Sequence, residues 1–456
     1  MLHARRLAGL TSTLLACVAA ALGNARAEDA IPSLALRPAY QGTSYIRLLP
    51  DPQISSQFVS MIRTDATKAA ASEAAGIRWH GQVEGVAERR AAGLPSGALY
   101  ATTGLTRSTG TSYPYSYGVN VTVPLYDGGA NGFLVSAQIA AAEAAEAGAV
   151  DSLAGTVLDL VAAATAMWVA QNTMSVRQSQ LEAIENLARE VDADRTSGTA
   201  SSVDSGQLRA EMVRIRLLLN AAQAARDSAQ LSYSGVSGVK PRQTSELGTI
   251  GKFLPTSLNQ ALSWADQSNP KLSKQLDLAE AARFDHLSFQ SSNGPDLNLN
   301  LSVGMDGDYQ SGRSVSNTSA LLRLEVPFSF GAEPATQRKA LEAQAASFEA
   351  IAARNSIHAS VESAFVRRAS ARSARSMAYD GLTQAQAVLA GSKVEYDLGE
   401  RSVFDLISAQ SAVAEARISI FSVEQEAVVA EHLLAAETGR LLDIYGLGVG
   451  IDARTR

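Results

Sequence analysis

The residue types that catalyse reactions or bind metals are scattered along this sequence. The four histidines after His3 show no His-Glu-x-x-His or other ligand spacing: His80, His286, His358 and His432. Asp127-Gly128-Gly129 lies between a predicted strand and a predicted helix, as phosphate-binding loops do. No Gly-Lys-Ser/Thr follows it, so a turn is favoured. With no nucleophile elbow or paired-carboxylate signature either, we predict no enzyme, no cofactor and no metal site.

The clearest polar motif is a turn between two alanine-rich segments, Tyr396-Asp-Leu-Gly399-Glu-Arg401-Ser402-Val-Phe-Asp405. Gly399 can end a helix in the left-handed conformation, and Ser402 can cap the next one. Asp405 follows the cap by three residues, where a carboxylate suits the positive end of the helix dipole. A weaker copy lies about 200 residues earlier, Gly198-Thr-Ala-Ser201-Ser-Val-Asp204. The two turns predict two antiparallel helical hairpins.

The two turns belong to halves that share one order of elements. A strand-like segment precedes each hairpin, and it ends near Pro124 in one half and near Pro327 in the other. The distance from Pro124 to Gly198 is 74 residues, and that from Pro327 to Gly399 is 72. At 1.5 Å per residue, the helix predicted from Ala130 to Thr196 would be roughly 100 Å long, which exceeds the diameter of a globular core. The sequence therefore predicts an internal duplication built on very long helices.

The predicted organisation follows this duplication, with a helix at the start of each repeat. These helices are predicted from Ile54 to about Glu88 and from Ser257 to Phe289, the second broken or bent at Asn269-Pro270. The segments are a signal peptide at 1–27, a first repeat at 28–240, a linker at 241–256, a second repeat at 257–445 and a tail at 446–456. The strand pairs are predicted at about 97–126 and 296–330, and the long helical hairpins at about 130–235 and 334–442.

The first 27 residues have the pattern of a secretory signal. Arg5 and Arg6 form the basic start, Leu7–Leu22 the apolar core, and Ala25-Arg26-Ala27 the cleavage site. Two alternatives stay open. One is an uncleaved membrane anchor, although this apolar run is short. The other is lipidation at Cys17, because Leu14-Leu-Ala-Cys17 resembles a lipobox.

Composition narrows the function classes. The chain has 456 residues and a net charge of −6, which becomes about −9 when the leader and its three arginines are removed. An acidic exported protein is a poor nucleic-acid binder. The only cysteine is lost with the leader, so no disulfide is expected. We found no later apolar run as long as a spanning helix, so we expect any membrane crossing to be made by strands.

Alternation with a period of two marks the predicted strands. In Tyr115–Leu125, apolar residues alternate with polar ones or glycine. Leu297–Met305 and Leu322–Phe330 behave similarly, on either side of a predicted loop at Gly307–Asn317. Arg323 and Glu325 fall on the face opposite the apolar one. This pattern is typical of a barrel with a wet interior, and a half-buried strand of a soluble sheet is the alternative.

The sequence resembles the TolC family of outer-membrane efflux and secretion ducts. Three features carry this resemblance: the Val-Pro-Leu-Tyr-Asp-Gly-Gly junction at 123–129, the turn at 396–405 and the repeated order of elements. The likeness covers nearly all of the mature sequence. It implies a mainly α chain with transmembrane β structure, in a trimer whose chains each give four strands to a twelve-stranded outer-membrane barrel. A long α-helical barrel would continue it into the periplasm of a Gram-negative cell. The implied partners are outer-membrane lipid, two further copies of the chain, a periplasmic adaptor and an inner-membrane pump of the resistance-nodulation or ABC type.

The resemblance also assigns roles to residues of the two turns. It implies a latch of Asp204, Tyr396 and Arg401 that closes the periplasmic end, and a constriction at Asp405 and Ser408. The adaptor would dock at four turn residues: Gly198, Ser201, Gly399 and Ser402. Ser408 replaces a second aspartate of TolC, and Val203 a threonine, so a weaker acidic ring and one fewer latch hydrogen bond are expected.

Each of the three latch residues also has a purely structural interpretation. Asp204 can cap a helix, Arg401 can be solvated and Tyr396 can pack in a core. A different class of function, a periplasmic coiled-coil protein with a structural or adhesion-related role and no pore, also fits the helices. Drug, metal and protein export all remain open.

Overall fold

The computed structural model describes residues 46–48, 56–107, 111–197, 202–242, 247–327 and 330–449. These residues all belong to one compact unit, Ser44–Arg456. The predicted signal peptide with Cys17, the turn residues Gly198 and Ser201, and the tail after Val449 lie outside the described residues.

The first half contains a short helical pair, a strand pair and a long hairpin. Its elements are β1 (Ile46–Leu48), α1 (Gln57–Ala66), α2 (Ala70–Ala92), β2 (Ser96–Thr103), β3 (Thr106–Arg107), β4 (Thr111–Ser112), β5 (Pro114–Tyr126), α3 (Ala130–Ser197) and α4 (Ser202–Ser237). The helix predicted from Ile54 to Glu88 is thus two helices. The Ser56 hydroxyl caps α1 by accepting a hydrogen bond from the Val59 N–H at 3.2 Å.

The second half has the same order of elements. A 3₁₀ turn at Gly251–Phe253 is followed by α5 (Leu258–Ser268), α6 (Pro270–Ser292), β6 (Asp296–Asp308), β7 (Arg313–Glu325), α7 (Ala332–Asp397), α8 (Val403–Glu437), α9 (Leu441–Tyr445) and β8 (Leu447–Val449). The predicted break at Asn269-Pro270 is present. Asn269 caps α6, its side-chain oxygen accepting from the Lys271 N–H at 2.9 Å, and Pro270 occupies the first turn.

Four strands form one antiparallel sheet in the order β2-β5-β6-β7, so the hairpins of the two halves lie side by side. The central pair matches Val119 with Val303 and Val121 with Leu301. The last strand differs from its prediction: β7 begins at Arg313, nine residues before Leu322, and its hairpin turn is Tyr309–Gly312 rather than Gly307–Asn317. Val326 and Pro327 follow the strand, and Phe328 and Ser329 lie outside the described residues.

One face of this sheet is apolar and uncovered in the single chain. The register places Leu99 beside Val119, and Leu299 beside both Val123 and Leu322. Leu99 is 85% exposed and Leu322 64% exposed. The opposite face carries polar groups, and there the Thr122 hydroxyl donates to the Asn300 side-chain oxygen at 2.9 Å. The sheet has the alternation of a surface with lipid on one side and water on the other.

The helices pack around α3, which contacts α2, α4, α6 and α8, while α7 packs on α6 and α8. The main core joins α1, the middle of α3, Tyr233 of α4 and the end of the chain around Tyr445. The buried Tyr233 hydroxyl donates to the Asp65 carboxylate at 2.6 Å. The two halves therefore share one core.

Helix α3 corrects one expectation from the sequence. By length and composition alone, its segment Ala130–Ala193 is apolar enough to cross a membrane, so the expectation that no such run follows the leader is wrong. Leu153, Val157 and Leu160 of this helix are fully buried against the core. Packing against other helices accounts for this apolar character.

Candidate functional site

The turn between α7 and α8 is built from local signals. Gly399 has φ +80°, and its N–H donates to the Tyr396 carbonyl at 2.9 Å, while the Glu400 N–H donates to the Glu395 carbonyl at 2.9 Å. This geometry ends α7, because only glycine adopts a positive φ at little cost. Ser402 then begins α8 as its N-cap.

Ser402 and Asp405 are brought together in a reciprocal cap. The Ser402 hydroxyl donates to the Asp405 carboxylate at 2.7 Å, and the Asp405 N–H donates to the same hydroxyl at 3.3 Å. These hydrogen bonds from Ser402, with the nearby Arg401 charge, hold the pKa of Asp405 below its usual range. Asp405 is half-exposed and Ser408, one turn later, is exposed. Asp405 thus offers a fixed negative charge at the start of α8.

Arg401 folds back onto its own hairpin. Its guanidinium forms an ion pair with the Glu395 carboxylate and donates to the Ser392 hydroxyl at 3.5 Å. Glu395 was not singled out from the sequence, although its i, i+6 spacing across a turn could have suggested it. The predicted contact of Arg401 with Asp204 remains a prediction.

Tyr396 packs against an apolar cluster that joins the two hairpin tips. The first hairpin contributes Ile184, Leu187, Val191, Leu208 and Ile215, and the second contributes Val403, Leu406 and Ile407. Asp204 lies in the first turn of α4 on this tip. The structure therefore places Asp204, Tyr396, Arg401 and Asp405 at the same end of the paired hairpins.

A polar network lies behind these tips, and the sequence interpretation missed it. The Arg177 side chain on α3 is 7% exposed. It donates to the Gln180 side-chain oxygen at 2.9 Å and to the Glu415 carboxylate on α8 at 2.7 Å. Gln180 in turn donates to the Ser411 hydroxyl at 3.2 Å. Charge-assisted bonds of this kind are stronger than neutral ones.

The network continues onto α4. The Ser411 hydroxyl donates to Glu211 at 3.1 Å, and Arg214 holds both carboxylate oxygens of Glu211 at 2.7 Å. The hydrogen bonds from Arg214 dominate in holding the pKa of Glu211 below its usual range, although burial opposes them. Helices α3, α4 and α8 are therefore connected by polar contacts as well as by the apolar cluster.

Within the described residues, no group of three or more His, Cys, Asp or Glu side chains is placed to hold a metal ion.

Comparisons with known proteins agree with this architecture. Residues 261–440 match the family model described as outer membrane efflux protein. The outer membrane efflux protein BepC of Brucella suis biovar 1 (strain 1330) is 25% identical over 389 residues, which are 83% of this chain and 84% of that protein.

Two solved structures have a similar fold. The CmeC outer membrane channel of Campylobacter jejuni superposes with a TM-score of 0.74 at 14% identity, over 88% of this chain and 91% of that one. The open state of the MtrE outer membrane channel of Neisseria gonorrhoeae gives a TM-score of 0.70 at 16% identity, over 86% of this chain and 95% of that one.

Members of this channel family are not enzymes, and they generally form trimers that work with adaptor and pump partners. The chain therefore resembles outer membrane efflux proteins in sequence, through the family model at 261–440 and the likeness to BepC, and shares the fold of outer membrane channels, which indicates a location in the Gram-negative outer membrane.

Proposed function

We propose that three copies of this chain form a passive exit duct across the outer membrane. The observation that carries the proposal is the four-stranded sheet, whose outer strands β2 and β7 each have only one partner within it. An open sheet edge is not tolerated in lipid, because its backbone groups would lack hydrogen-bond partners. Three such sheets, joined edge to edge, would close into a twelve-stranded barrel without free edges.

The exposed apolar face supports the same proposal. Leucines and valines on this face would meet the acyl chains, and the polar side chains on the other face would line a wet channel. The strands β5, β6 and β7 each have 13 residues. This length is sufficient for a tilted strand that crosses the hydrocarbon layer, which needs about 9–11 residues.

An internal duplication explains why the chain has two hairpins. The order of short helices, strand pair and long helical hairpin occurs twice, and α3 and α7 have 68 and 66 residues. Three chains would then place six hairpins around one axis, with the tips at 197–204 and 397–405 facing the periplasm.

We infer that these tips dock a periplasmic adaptor and form the gate. Gly198, Ser201, Gly399 and Ser402 would shape the docking turns, and Asp204, Tyr396 and Arg401 would form the latch. Asp405 and Ser408 would line the narrowest point. Energy would come from a partner pump of the resistance-nodulation or ABC type, and the genes beside this one would indicate which.

Reconstitution tests the duct directly. The purified full chain should require detergent, migrate as a trimer that heat dissociates, and give discrete conductance steps in planar bilayers. A freely soluble monomer without conductance would refute the duct and favour a periplasmic coiled-coil protein. If the protein conducts but does not bind the periplasmic adaptor of its gene neighbourhood, only the docking role of the tips is refuted.

A further inference from the structure

A pocket with a volume of about 360 Å³ lies between the last residues of the inter-repeat linker and one face of α7. The linker contributes Gly251, Lys252, Leu254 and Thr256, and α7 contributes Phe365, Arg368, Ala369 and Arg372. Each α7 residue lies three or four positions from another of the set, so the four share one helix face. Three of the eight lining residues are cationic and none is acidic.

Arg368 forms a fixed wall of this pocket. It is 7% exposed, and its two terminal nitrogens donate to the backbone carbonyls of Pro255 at 2.9 Å and Gly251 at 3.2 Å. Its Nε is buried and has no hydrogen-bond partner. A buried guanidinium is costly unless its donors and its charge are satisfied. Within the described residues the two terminal nitrogens bind neutral carbonyls and no carboxylate, so the positive charge of Arg368 favours an anion in the pocket.

The charges around Arg368 do not balance. Burial is the main cause that lowers the pKa of Arg368. The positive charge of Arg372, one turn further on α7, lowers this pKa as well, whereas the carboxylate of Glu431 on α8 raises it. The Glu431 carboxylate also accepts a hydrogen bond from the Ile250 N–H at 3.1 Å. Against this one carboxylate stand three cations, because Lys252 also lines the pocket.

Other arginines of α7 differ from this group. Arg367 pairs with Glu426 at 2.5 Å, and Arg375 pairs with Glu424 at 2.7 Å. Within the described part of the chain, Lys252, Arg368 and Arg372 form no ion pair. The positive charge of α7 is therefore compensated on either side of the pocket but not inside it.

We propose that this pocket is a binding site for a small oxyanion, either a phosphate or a carboxylate. Its oxygens would accept hydrogen bonds from Arg372 and Lys252 beside the positive charge of Arg368, and guanidinium groups match such oxygens geometrically. Since one water occupies about 30 Å³ of liquid, the pocket can also hold several waters beside the anion. Every proposed contact belongs to a single chain, so the site does not depend on the trimer or on the duct.

Calorimetric titration of the purified full chain with inorganic phosphate tests the site, with succinate as the carboxylate probe. We expect saturable binding of one anion per chain, at least for one of the two probes. Arg372→Gln and Lys252→Gln should each raise its Kd about tenfold, because each removes a hydrogen bond to a charged group. Arg368 is left intact, since its loss would also free two backbone carbonyls.

The matched control is Arg338→Gln, an exposed arginine of α7 that pairs with Glu342 at 2.5 Å, away from the pocket. The Kd of the anion for this control variant should equal its Kd for the unaltered protein. The anion should also raise the melting temperature of the unaltered protein and the control more than that of the two pocket variants. No saturable binding of either probe, or binding that Arg372→Gln and Lys252→Gln leave unchanged, would overturn the proposal.

Discussion

The guanidinium of Arg177 and the carboxylate of Glu415 lie 2.7 Å apart, although 238 positions separate them in the sequence. Arg177 is on α3 of the first half, and Glu415 is on α8 of the second half. The pair therefore joins the two long hairpins behind their tips. Any outward movement of one hairpin relative to the other must either break this ion pair or move both side chains so that they stay paired.

Removal of Arg177 should weaken the attachment of the two hairpins. Arg177→Ala deletes two charge-assisted hydrogen bonds from a nearly buried position, and we expect it to lower the free energy of unfolding by about 1–3 kcal/mol. The matched control is Arg216→Ala, because Arg216 of α4 also forms an ion pair with another helix, Glu185 of α3 at 3.0 Å, but is exposed. The control should cost about 0–1 kcal/mol. Thermal unfolding midpoints of the two variants measure the difference, and equal midpoints would contradict the role of Arg177.

The local parts of this fold could be predicted from the sequence, because their signals are local. The N-cap Ser402, the left-handed Gly399 and the break at Asn269-Pro270 each act within one turn, and all three are present. The start of β7 could not be found in this way. Its first residues, Arg-Ser-Val-Ser-Asn-Thr-Ser at 313–319, are almost all polar, and they form a strand because β6 offers a continuous partner.

The site shows the same division between local and distant signals. The residues of the second turn were found because their cap motif is contiguous. The Arg177 network was missed because Glu211, Ser411 and Glu415 become neighbours only when the hairpins pack together. The latch between Asp204 and the second turn stays a prediction, since part of the first turn lies outside the described residues.

The latch prediction can be sharpened by the ion pair between Arg401 and Glu395. We expect Asp204→Ala and Arg401→Ser each to raise single-channel conductance in planar bilayers, because each removes a group that would hold the tips together. Glu395→Gln releases Arg401 from its own hairpin and leaves its charge available, so conductance should not rise in that variant. Unchanged conductance in both Asp204→Ala and Arg401→Ser would rule these residues out as a latch.

The buried His432 should make the protein sensitive to acid. Its Nδ1–H donates to the Val428 carbonyl at 2.7 Å. In this neutral form of the ring, Nε2 carries no proton and accepts from the Tyr445 hydroxyl at 2.8 Å. Burial lowers the pKa of His432 to about 4. The unfolded chain protonates at about pH 6.5 and therefore binds more protons between these values.

Stability from His432 is therefore complete above about pH 6.5 and is lost as the pH falls towards 4, by about 3 kcal/mol in all. His432→Gln should reduce the decline of the melting temperature over this range. His80→Gln is the control, because His80 is half-buried beside Glu84 at 3.6 Å, and it should keep the decline of the unaltered protein. The same decline in His432→Gln would show that other groups cause it.

Replacement of two glycines by alanine should change the stability of the protein in opposite directions. Gly439 has φ +74°, and a Cβ there would overlap the carbonyl of Ser268 at the end of α5. Gly439→Ala should therefore lower stability by at least about 2 kcal/mol. Gly381 lies inside α7 with nothing within 4 Å of a Cβ, so Gly381→Ala should raise stability by about 0.5–1 kcal/mol. Urea unfolding measures both, and a stable Gly439→Ala protein would contradict the close approach of α5 to the end of α8.

The two faces of β7 give the sharpest test of the membrane assignment. Leu321 and Leu322 are adjacent and almost equally exposed, at 61% and 64%. Leu322 lies beside Leu299 on the apolar face, whereas Leu321 lies beside Asn300 on the polar face. If the apolar face meets lipid, Leu322→Arg should destabilise the inserted protein by up to about 2–4 kcal/mol, with less effect near the edge of the bilayer. Leu321→Arg should be tolerated, because its charge would face water. Heat dissociation of trimers extracted from the outer membrane compares the two variants, and equal tolerance of both would place the sheet in water and exclude the barrel.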